Sequence, residues 1–346
     1  MGVARRFAVL LVVGAISTIG LTAAFAAPAG ADTTGFTVIG NLFAPTTCQL
    51  ARIDLNTGVL APFGPTDASH CVFDLTIAAD GTLYGVLVKG TTGSGGTAHL
   101  LRFDTTTGAA TDLGQVGAFV LNGPGNVQGN LTFDAAGNLL VYLVPQTAQG
   151  SCPAITNFCL FRVNPANPGS ATALGPVPQT FDVYFGLATS PSGTLSSVRD
   201  SLGAGSLGST TSPTTTTTTK ATTTTTTLPG VHASAGSWPP VHAAVGPAQT
   251  LTVVNGSNGS TTDVGTGTGT PFTVSLDYDS AGTLWAVGFP NGLAAALSSN
   301  VITIDPGTGI ATLGPAITSG GTPVAVMALA IPRPAAAVVV QPRFTG

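Results

Sequence analysis

The stretch "ARIDLNTGVLAPFG" (51–64) decides the fold, because the chain repeats its pattern five times. In each copy a run of alternating residues ends in Asp or Asn, a turn usually containing Gly follows, and a second run ends in Gly. Asp or Asn side chains bond their own backbone in turns, and Gly adopts left-handed conformations at low cost. Each copy therefore predicts a β-hairpin. The other copies are "LRFDTTTGAATDLG" (101–114), "FRVNPANPGSATALG" (161–175), "TVVNGSNGSTTDVG" (252–265) and "TIDPGTGIATLG" (303–314).

A second repeated phrase alternates with the first and predicts another set of hairpins. Its turns fall at Asp80-Gly81, Ala136-Gly137, Ser192-Gly193 and Ala281-Gly282. Two hairpins make a four-stranded unit, and the markers Asp54, Asp104, Asn164, Asn255 and Asp305 recur at a spacing near 50 residues except across one long gap. That period with Gly-rich turns is typical of a β-propeller blade. We therefore expect an all-β, five-bladed β-propeller.

The two ends of the chain are predicted to share one blade. The segment 36–64 supplies three strands, and Val324–Pro332 supplies a single inner strand that no second hairpin follows. We expect the C-terminal strand to complete the N-terminal blade beside Phe36–Leu42, which closes the ring and removes a free sheet edge. A degenerate sixth blade inside 201–249 is left open.

The elements "LxRIDxxTG" and "LxxxxDGTLYGV" resemble the secreted bacterial β-propeller repeats of the broad NHL, YVTN and quinoprotein-like group. The resemblance covers residues 36–332 apart from the Thr-rich segment. It implies the fold but no particular activity, because these repeats mark turns. Five blades depart from the six- and seven-bladed forms common in that group.

The composition agrees with an all-β chain and divides it into segments. All 14 acidic residues are Asp and 46 of the 346 residues are Gly, so the helix former Glu is absent and a poor helix former is abundant. Residues 1–31 read as a signal peptide, with a membrane anchor as the alternative. Residues 32–332 are the propeller, interrupted by a disordered Thr-rich loop at 201–249 that is either a solvated spacer or a carrier of O-linked glycans. Residues 333–346 are a C-terminal tail without a sortase motif.

The net charge limits the class of partner, and the cysteines indicate the compartment. Loss of Arg5 and Arg6 with the signal leaves 8 basic and 14 acidic residues, which disfavours nucleic acid and anionic membranes. An even number of cysteines indicates an oxidising compartment. We expect the disulfides Cys48–Cys71 and Cys152–Cys159; a metal site is the alternative, but CxxC spacing is absent.

Polar residues recur on one face of the predicted innermost strands. Asp74, Asn130, Ser275 and Asp277 share this face, because strands alternate sides. They are candidate ligand-binding residues in a central channel, or they bond across blades. The equivalents Gly186 and Ala328 leave the ring incomplete. Calcium would need more ligands than Asp74 and Asp277, and no other cofactor is expected.

Catalytic motifs are missing from the sequence, and no catalytic residue is assigned. Most Asp residues are expected in turns, and His70 is the one histidine that we weigh for a pocket. The matching arginines Arg52, Arg102 and Arg162 either form an anion-binding stripe or lie over neighbouring strands.

Three functions are open. The first is a secreted or surface-associated, non-catalytic propeller that binds a protein or a cell-envelope component, with no membrane partner in the mature form. The second is a propeller enzyme of the lactonase, lyase or glycosidase type with a central-channel site. The third is a purely structural matrix protein.

Overall fold

The structure is a computed structural model that describes residues 33–40, 47–90, 96–117, 129–143, 145, 148, 150–152, 158–176, 182–201, 249–269, 271–290 and 298–333. The predicted signal peptide, the segment 202–248 with its Thr runs, and residues 334–346 lie outside the described residues. The domain assignments at those positions therefore stay predictions.

The described chain is an all-β, five-bladed β-propeller, as the repeats predict. Four blades are antiparallel four-stranded sheets whose strands follow one another in chain order from the axis outward. Blade 2 consists of β4 (Leu75–Ile77), β5 (Leu83–Gly90), β6 (Gly96–Phe103) and β7 (Ala110–Gln115). Blade 3 consists of β8 (Asn130–Phe133), β9 (Leu139–Leu143), β10 (Cys159–Asn164) and β11 (Asn167–Pro176). Blade 4 consists of β12 (Asp182–Thr189), β13 (Leu195–Ser201), β14 (Thr250–Val254) and β15 (Thr261–Val264). Blade 5 consists of β16 (Phe272–Tyr278), β17 (Leu284–Phe289), β18 (Asn300–Ile304) and β19 (Ala311–Ala316).

Blade 1 is built from both ends of the described chain. It contains β1 (Thr34–Ile39), β2 (Gln49–Asp54), β3 (Val59–Pro62), β20 (Thr318–Ser319), β21 (Thr322–Pro323) and β22 (Val326–Ala330). The closing strand β22 pairs antiparallel with β1, with Phe36 opposite Ala330 and Thr37 opposite Leu329. The predicted closure is confirmed.

A short hairpin that the sequence did not indicate extends blade 1 on its outer side. Between blade 5 and the closing strand, β20 pairs in parallel with β3, and β21 pairs with β20. The Thr318 N–H also donates to the Gly58 carbonyl at 2.9 Å. The strands β1–β3 are thus held at both edges by the C-terminal part of the chain, which covers an edge that would otherwise be free.

Asx turns close the hairpins of the first phrase. The Asp54 Oδ1 accepts from the N–H groups of Asn56 and Thr57, and Gly58 has a φ of +71°. The remaining copies have the same capping bond, from the side chains of Asp104, Asn164, Asn255 and Asp305. The predicted turn chemistry is confirmed.

The same turns also join the blades. In every blade the turn of the first phrase lies against the chain at the end of the first-phrase hairpin of the preceding blade. One of these contacts is a hydrogen bond, which the Gly117 N–H donates to the Pro168 carbonyl. The others are close backbone approaches of Gly58 to Ala316, Gly108 to Gly64, Gly259 to Gly175, and Gly309 to Val264. The recurrence of glycine follows from backbone approaching backbone at these places.

Five apolar clusters make up the core, one between each pair of neighbouring blades. Leu75 and Leu101 of blade 2, for example, pack with Val38 and Leu50 of blade 1. The other clusters fill the four remaining junctions. No blade buries its apolar faces alone, which is the physical reason for the repetition.

Both predicted disulfides are present. The Cα atoms of Cys48 and Cys71 are 5.0 Å apart, and those of Cys152 and Cys159 are 5.9 Å apart. Cys48 leads into β2 of blade 1, whereas Cys71 lies in the connection to β4 of blade 2, so this disulfide ties two blades together rather than one unit. Disulfides indicate an oxidising compartment.

Among the described residues, no helix has the length and apolar character needed to cross a membrane.

Candidate functional site

The innermost strands β4, β8, β12, β16 and β22 surround the axis, and their polar residues form the candidate site. Asp74, Asn130, Ser275 and Asp277 are all buried. They occupy two levels along the axis: the first contains Asp74, Asn130 and Ser275, and the second contains Asp277. The structure therefore brings the predicted residues to the centre of the propeller.

Each of these side chains bonds to another blade. The Asn130 Nδ2 donates to the Tyr184 carbonyl at 2.7 Å, and its Oδ1 accepts from the Gly186 N–H at 3.0 Å. The Asp74 Oδ2 accepts from the Leu131 N–H at 3.1 Å, and its Oδ1 accepts from the Ser275 hydroxyl at 2.5 Å. These are the cross-blade bonds of the second interpretation, while ligand binding by the same residues stays a prediction.

The gap in the first level at Gly186 has a steric cause. Gly186 has a φ of +62°, and a Cβ there would lie 2.7 Å from the Leu276 backbone nitrogen of blade 5. A side chain at this point would separate blades 4 and 5. The incomplete polar ring is thus a packing requirement where β12 meets β16.

Asp277 belongs to a second group, at the end of the axis where the inner strands finish. Its Oδ2 accepts from the Ile331 N–H at 2.8 Å, and its Oδ1 accepts from the Arg333 Nη2 at 2.9 Å. The Arg333 Nε also donates to the Tyr278 carbonyl at 3.2 Å. The Arg333 side chain is 32% exposed and the Asp277 side chain only 7%, so the arginine lies on the solvent side of the carboxyl group.

Burial dominates the electrostatics of both carboxyl groups. It raises the pKa of Asp74 well above its usual value, against the hydrogen bonds from Ser275 and from the N–H groups of Leu131 and Leu75. Burial also raises the pKa of Asp277, although the Arg333 guanidinium opposes this shift. Buried carboxyl groups favour the neutral acid for this reason.

Sequence reasoning missed two residues that bond at the closing strand or directly after it. Arg333 follows the last strand and belongs to no repeat, so nothing in the pattern marks it. Thr37 lies on β1, and its hydroxyl donates to the Ala328 carbonyl of the closing strand at 2.5 Å. Thr37 is buried beside Val38, and the sequence pattern does not reveal its hydrogen-bond partner on the closing strand.

Ser69, His70 and Asp67 lie close together in the structure, but their arrangement differs from that of a catalytic triad. The His70 Nδ1 lies 2.7 Å from Asp67 Oδ1 and 3.3 Å from Ser69 Oγ. The other ring nitrogen, Nε2, lies 2.7 Å from the Gly108 carbonyl of blade 2. A catalytic triad places Ser and Asp on opposite nitrogens of the imidazole. Here both share one nitrogen and a backbone carbonyl occupies the other, so His70 ties a connection to a turn.

The arginine at position 52 also serves a blade junction. Arg52 lies over the Phe63 ring, 4.5 Å from its centroid, and its Nη2 donates to the Thr105 carbonyl of blade 2 at 2.7 Å. This agrees with arginines lying over neighbouring strands. A cleft of about 420 Å³ on blade 1 is lined by Arg52, Asp54 and Val59 among others, and no axial residue lines it.

The outer face of blade 2 carries a small charged group. Lys89 and His99 both contact the carboxylate of Asp112. Partial burial of the Asp112 carboxylate acts to raise its pKa. The hydrogen bonds from Lys89 and His99 outweigh this effect and lower the pKa of Asp112 to about 2. Within the described ranges, no three His, Cys or Asp residues are grouped so that they could hold a metal ion.

The sequence matches no protein-family model and no curated protein. Solved structures with a similar arrangement include an α-L-arabinanase of Penicillium chrysogenum, with 12% identity and a TM-score of 0.43 over 78% of this chain and 73% of that one. Another is a gluconolactonase of Xanthomonas campestris, with 14% identity and a TM-score of 0.38 over 82% and 78% of the two chains. At these values the likeness carries no conclusion about activity. The assignment as a five-bladed β-propeller rests on the strand pairing of the chain itself.

Proposed function

We propose that this protein is a non-catalytic binding scaffold that is secreted and acts outside the cell or on its surface. One observation carries the proposal: the polar groups at the axis bond to other blades. Asp74, Asn130 and Ser275 are buried and bridge inner strands, and both nitrogens of His70 are occupied. A catalytic group needs a reactive atom that faces a substrate. Among the described residues, we therefore assign binding to the surface of the propeller.

The partner in this proposal is a protein or a cell-envelope component. The acidic balance disfavours nucleic acid and anionic membranes as partners. The two disulfides support an oxidising location. Secretion itself is tested by N-terminal sequencing of protein from culture medium, where a start near residue 32 is expected.

Binding is tested with the purified chain 32–346 on a sensor surface and detergent-free envelope fractions as the analyte. Saturable binding that unfolded protein lacks supports the proposal. A matched variant without 202–248 locates the activity: unchanged binding assigns it to the propeller, and lost binding assigns it to the Thr-rich segment. Absence of saturable binding by both forms would contradict the proposal. Intact mass of the secreted chain separates a bare segment from a glycosylated one.

A hydrolase is the second candidate function, and Asp277 is the observation that favours it. Its raised pKa suits a general acid, and it lies behind a partly exposed arginine at one end of the axis. The test is turnover of lactones and aryl glycosides by the wild type and by Asp277→Asn. Turnover that Asp277→Asn abolishes while the melting temperature is retained would establish the enzyme and overturn the scaffold.

A further inference from the structure

The carboxyl group of Asp74 links blades that are not neighbours. Asp74 precedes β4 in blade 2, and its partner Ser275 lies on β16 in blade 5. Blade 1, the blade assembled from both ends of the described chain, lies between these two in the ring. The Asp74–Ser275 bond therefore runs along the axial side of the closing strand β22.

Ser275 holds the closing strand directly. Its hydroxyl oxygen accepts from the Leu329 N–H of β22 at 2.9 Å, while the same hydroxyl donates to Asp74. The other oxygen of Asp74 accepts from the Leu131 N–H of blade 3. One continuous path of hydrogen bonds thus joins blades 1, 5, 2 and 3 at the point where the ring closes.

This path contains no positive charge among the described residues. The strands β4, β8 and β22 contain no charged residue, and β16 contributes only Asp277, whose charge acts against ionisation of Asp74. The guanidinium of Arg333 is bound to Asp277. Asp74 itself is fully buried. An ionised carboxylate at this place would be desolvated without a cation to compensate it.

We propose that Asp74 is an acid-stabilised latch on ring closure: as the neutral acid it accepts the bonds of this path without placing a charge in the core, and loss of its proton to solvent creates an uncompensated buried charge that loosens the closing strand. Burial raises the pKa of Asp74 in the folded state above its value in the unfolded chain. The folded state therefore binds more protons between those two values. Its stability is greatest below the unfolded value and falls as the pH rises toward the folded value.

The test compares melting temperatures of the wild type and Asp74→Asn from about pH 4 to pH 8. The amide is neutral at every pH, and Asn130 occupies the equivalent place in blade 3, so the change fits the ring. We expect Asp74→Asn to exceed the wild type by about 3 °C or more near neutral pH and to lose this advantage near pH 4. Parallel profiles for the two proteins would overturn the latch.

A control and a local measurement make the result specific. Asp80→Asn alters an exposed turn carboxylate whose pKa is lowered, so its effect on the pH profile should have the opposite sign. In the wild type, the carboxyl ¹³C resonance of Asp74 should report the protonated acid at about pH 5, where exposed Asp is ionised. The hydrogen-exchange protection factor of Leu329 should fall as that resonance titrates. A carboxylate resonance at pH 5 would refute the proposal even if the variant did not fold.

Discussion

At the residue scale, glycine sets the spacing between blades. Gly108 has a φ of +73°, and a Cβ there would lie 2.7 Å from the Gly64 Cα of blade 1. Gly81, in a turn of the second phrase, has a φ of +85°, and a Cβ there would meet nothing within 4 Å. Both turns need glycine for conformation, but only the first needs it for contact between blades.

Gly108→Ala should therefore destabilise the protein more than Gly81→Ala. The left-handed conformation costs alanine about 1–2 kcal/mol at either site. Overpacking against Gly64 adds about 1–3 kcal/mol at position 108 only. Urea unfolding followed by circular dichroism measures the two free energies of unfolding. Equal losses would show that the approach of the two backbones carries no energy.

The two disulfides should also differ in how much they stabilise the folded protein. Cys48 and Cys71 are separated by 23 residues and bridge two blades, whereas Cys152 and Cys159 are separated by 7 within blade 3. Loop-closure entropy gives roughly 3 kcal/mol for the longer loop and somewhat less for the shorter one. Paired Cys→Ser variants should show the larger fall in melting temperature for the 48/71 pair. A larger fall for the 152/159 pair would contradict this order.

At the scale of elements, blade 4 is complete without the segment that interrupts it. The strands β13 and β14 pair in regular register, with Arg199 opposite Thr250. The Gln249 side chain accepts from the Thr273 N–H at 2.6 Å and donates to the Thr273 carbonyl at 3.1 Å. The point where the chain re-enters the blade is thus anchored to the inner strand of blade 5.

Replacing residues 202–248 by a short Asn-Gly turn should leave the propeller folded, because both flanking strands keep their partners. We expect a melting temperature within about 2 °C of the wild type. Gln249→Ala in the same background should cost about 1–3 kcal/mol, since it leaves a buried N–H and carbonyl unpaired. Differential scanning calorimetry measures both. Unfolding of the shortened chain would show that the segment is part of the blade.

The sequence predicted elements well where a local pattern encodes them and poorly elsewhere. Alternation and Asx–Gly turns are local, so the hairpins and the closing strand could be found. The β20–β21 hairpin is too short to carry a pattern. At the axis, strand parity located Asp74 and Asp277, but Arg333 lies beyond the repeats. The partners of these side chains are on other blades, and no spacing along the chain encodes them.

At the scale of the whole molecule, the ring is joined twice between its two halves. A cut between 202 and 248 would divide the chain into one piece with β1–β13 and another with β14–β22. Blade 4 holds the pieces together through β13 and β14, and blade 1 does so through β1 and β22. Both disulfides lie within the first piece, so no covalent bond joins the two.

A single cut at a protease site inserted between 202 and 248 should therefore leave one particle. The two pieces should co-elute in native size-exclusion chromatography and separate in urea without reductant, because only non-covalent contacts join them. Thr37→Val removes the hydroxyl that bonds the closing strand to β1 and should lower the urea concentration at which the pieces part. Thr107→Val, at the equivalent exposed turn within the first piece, is the matched control. Pieces that separate without denaturant would mean that the ring is not held at blade 1.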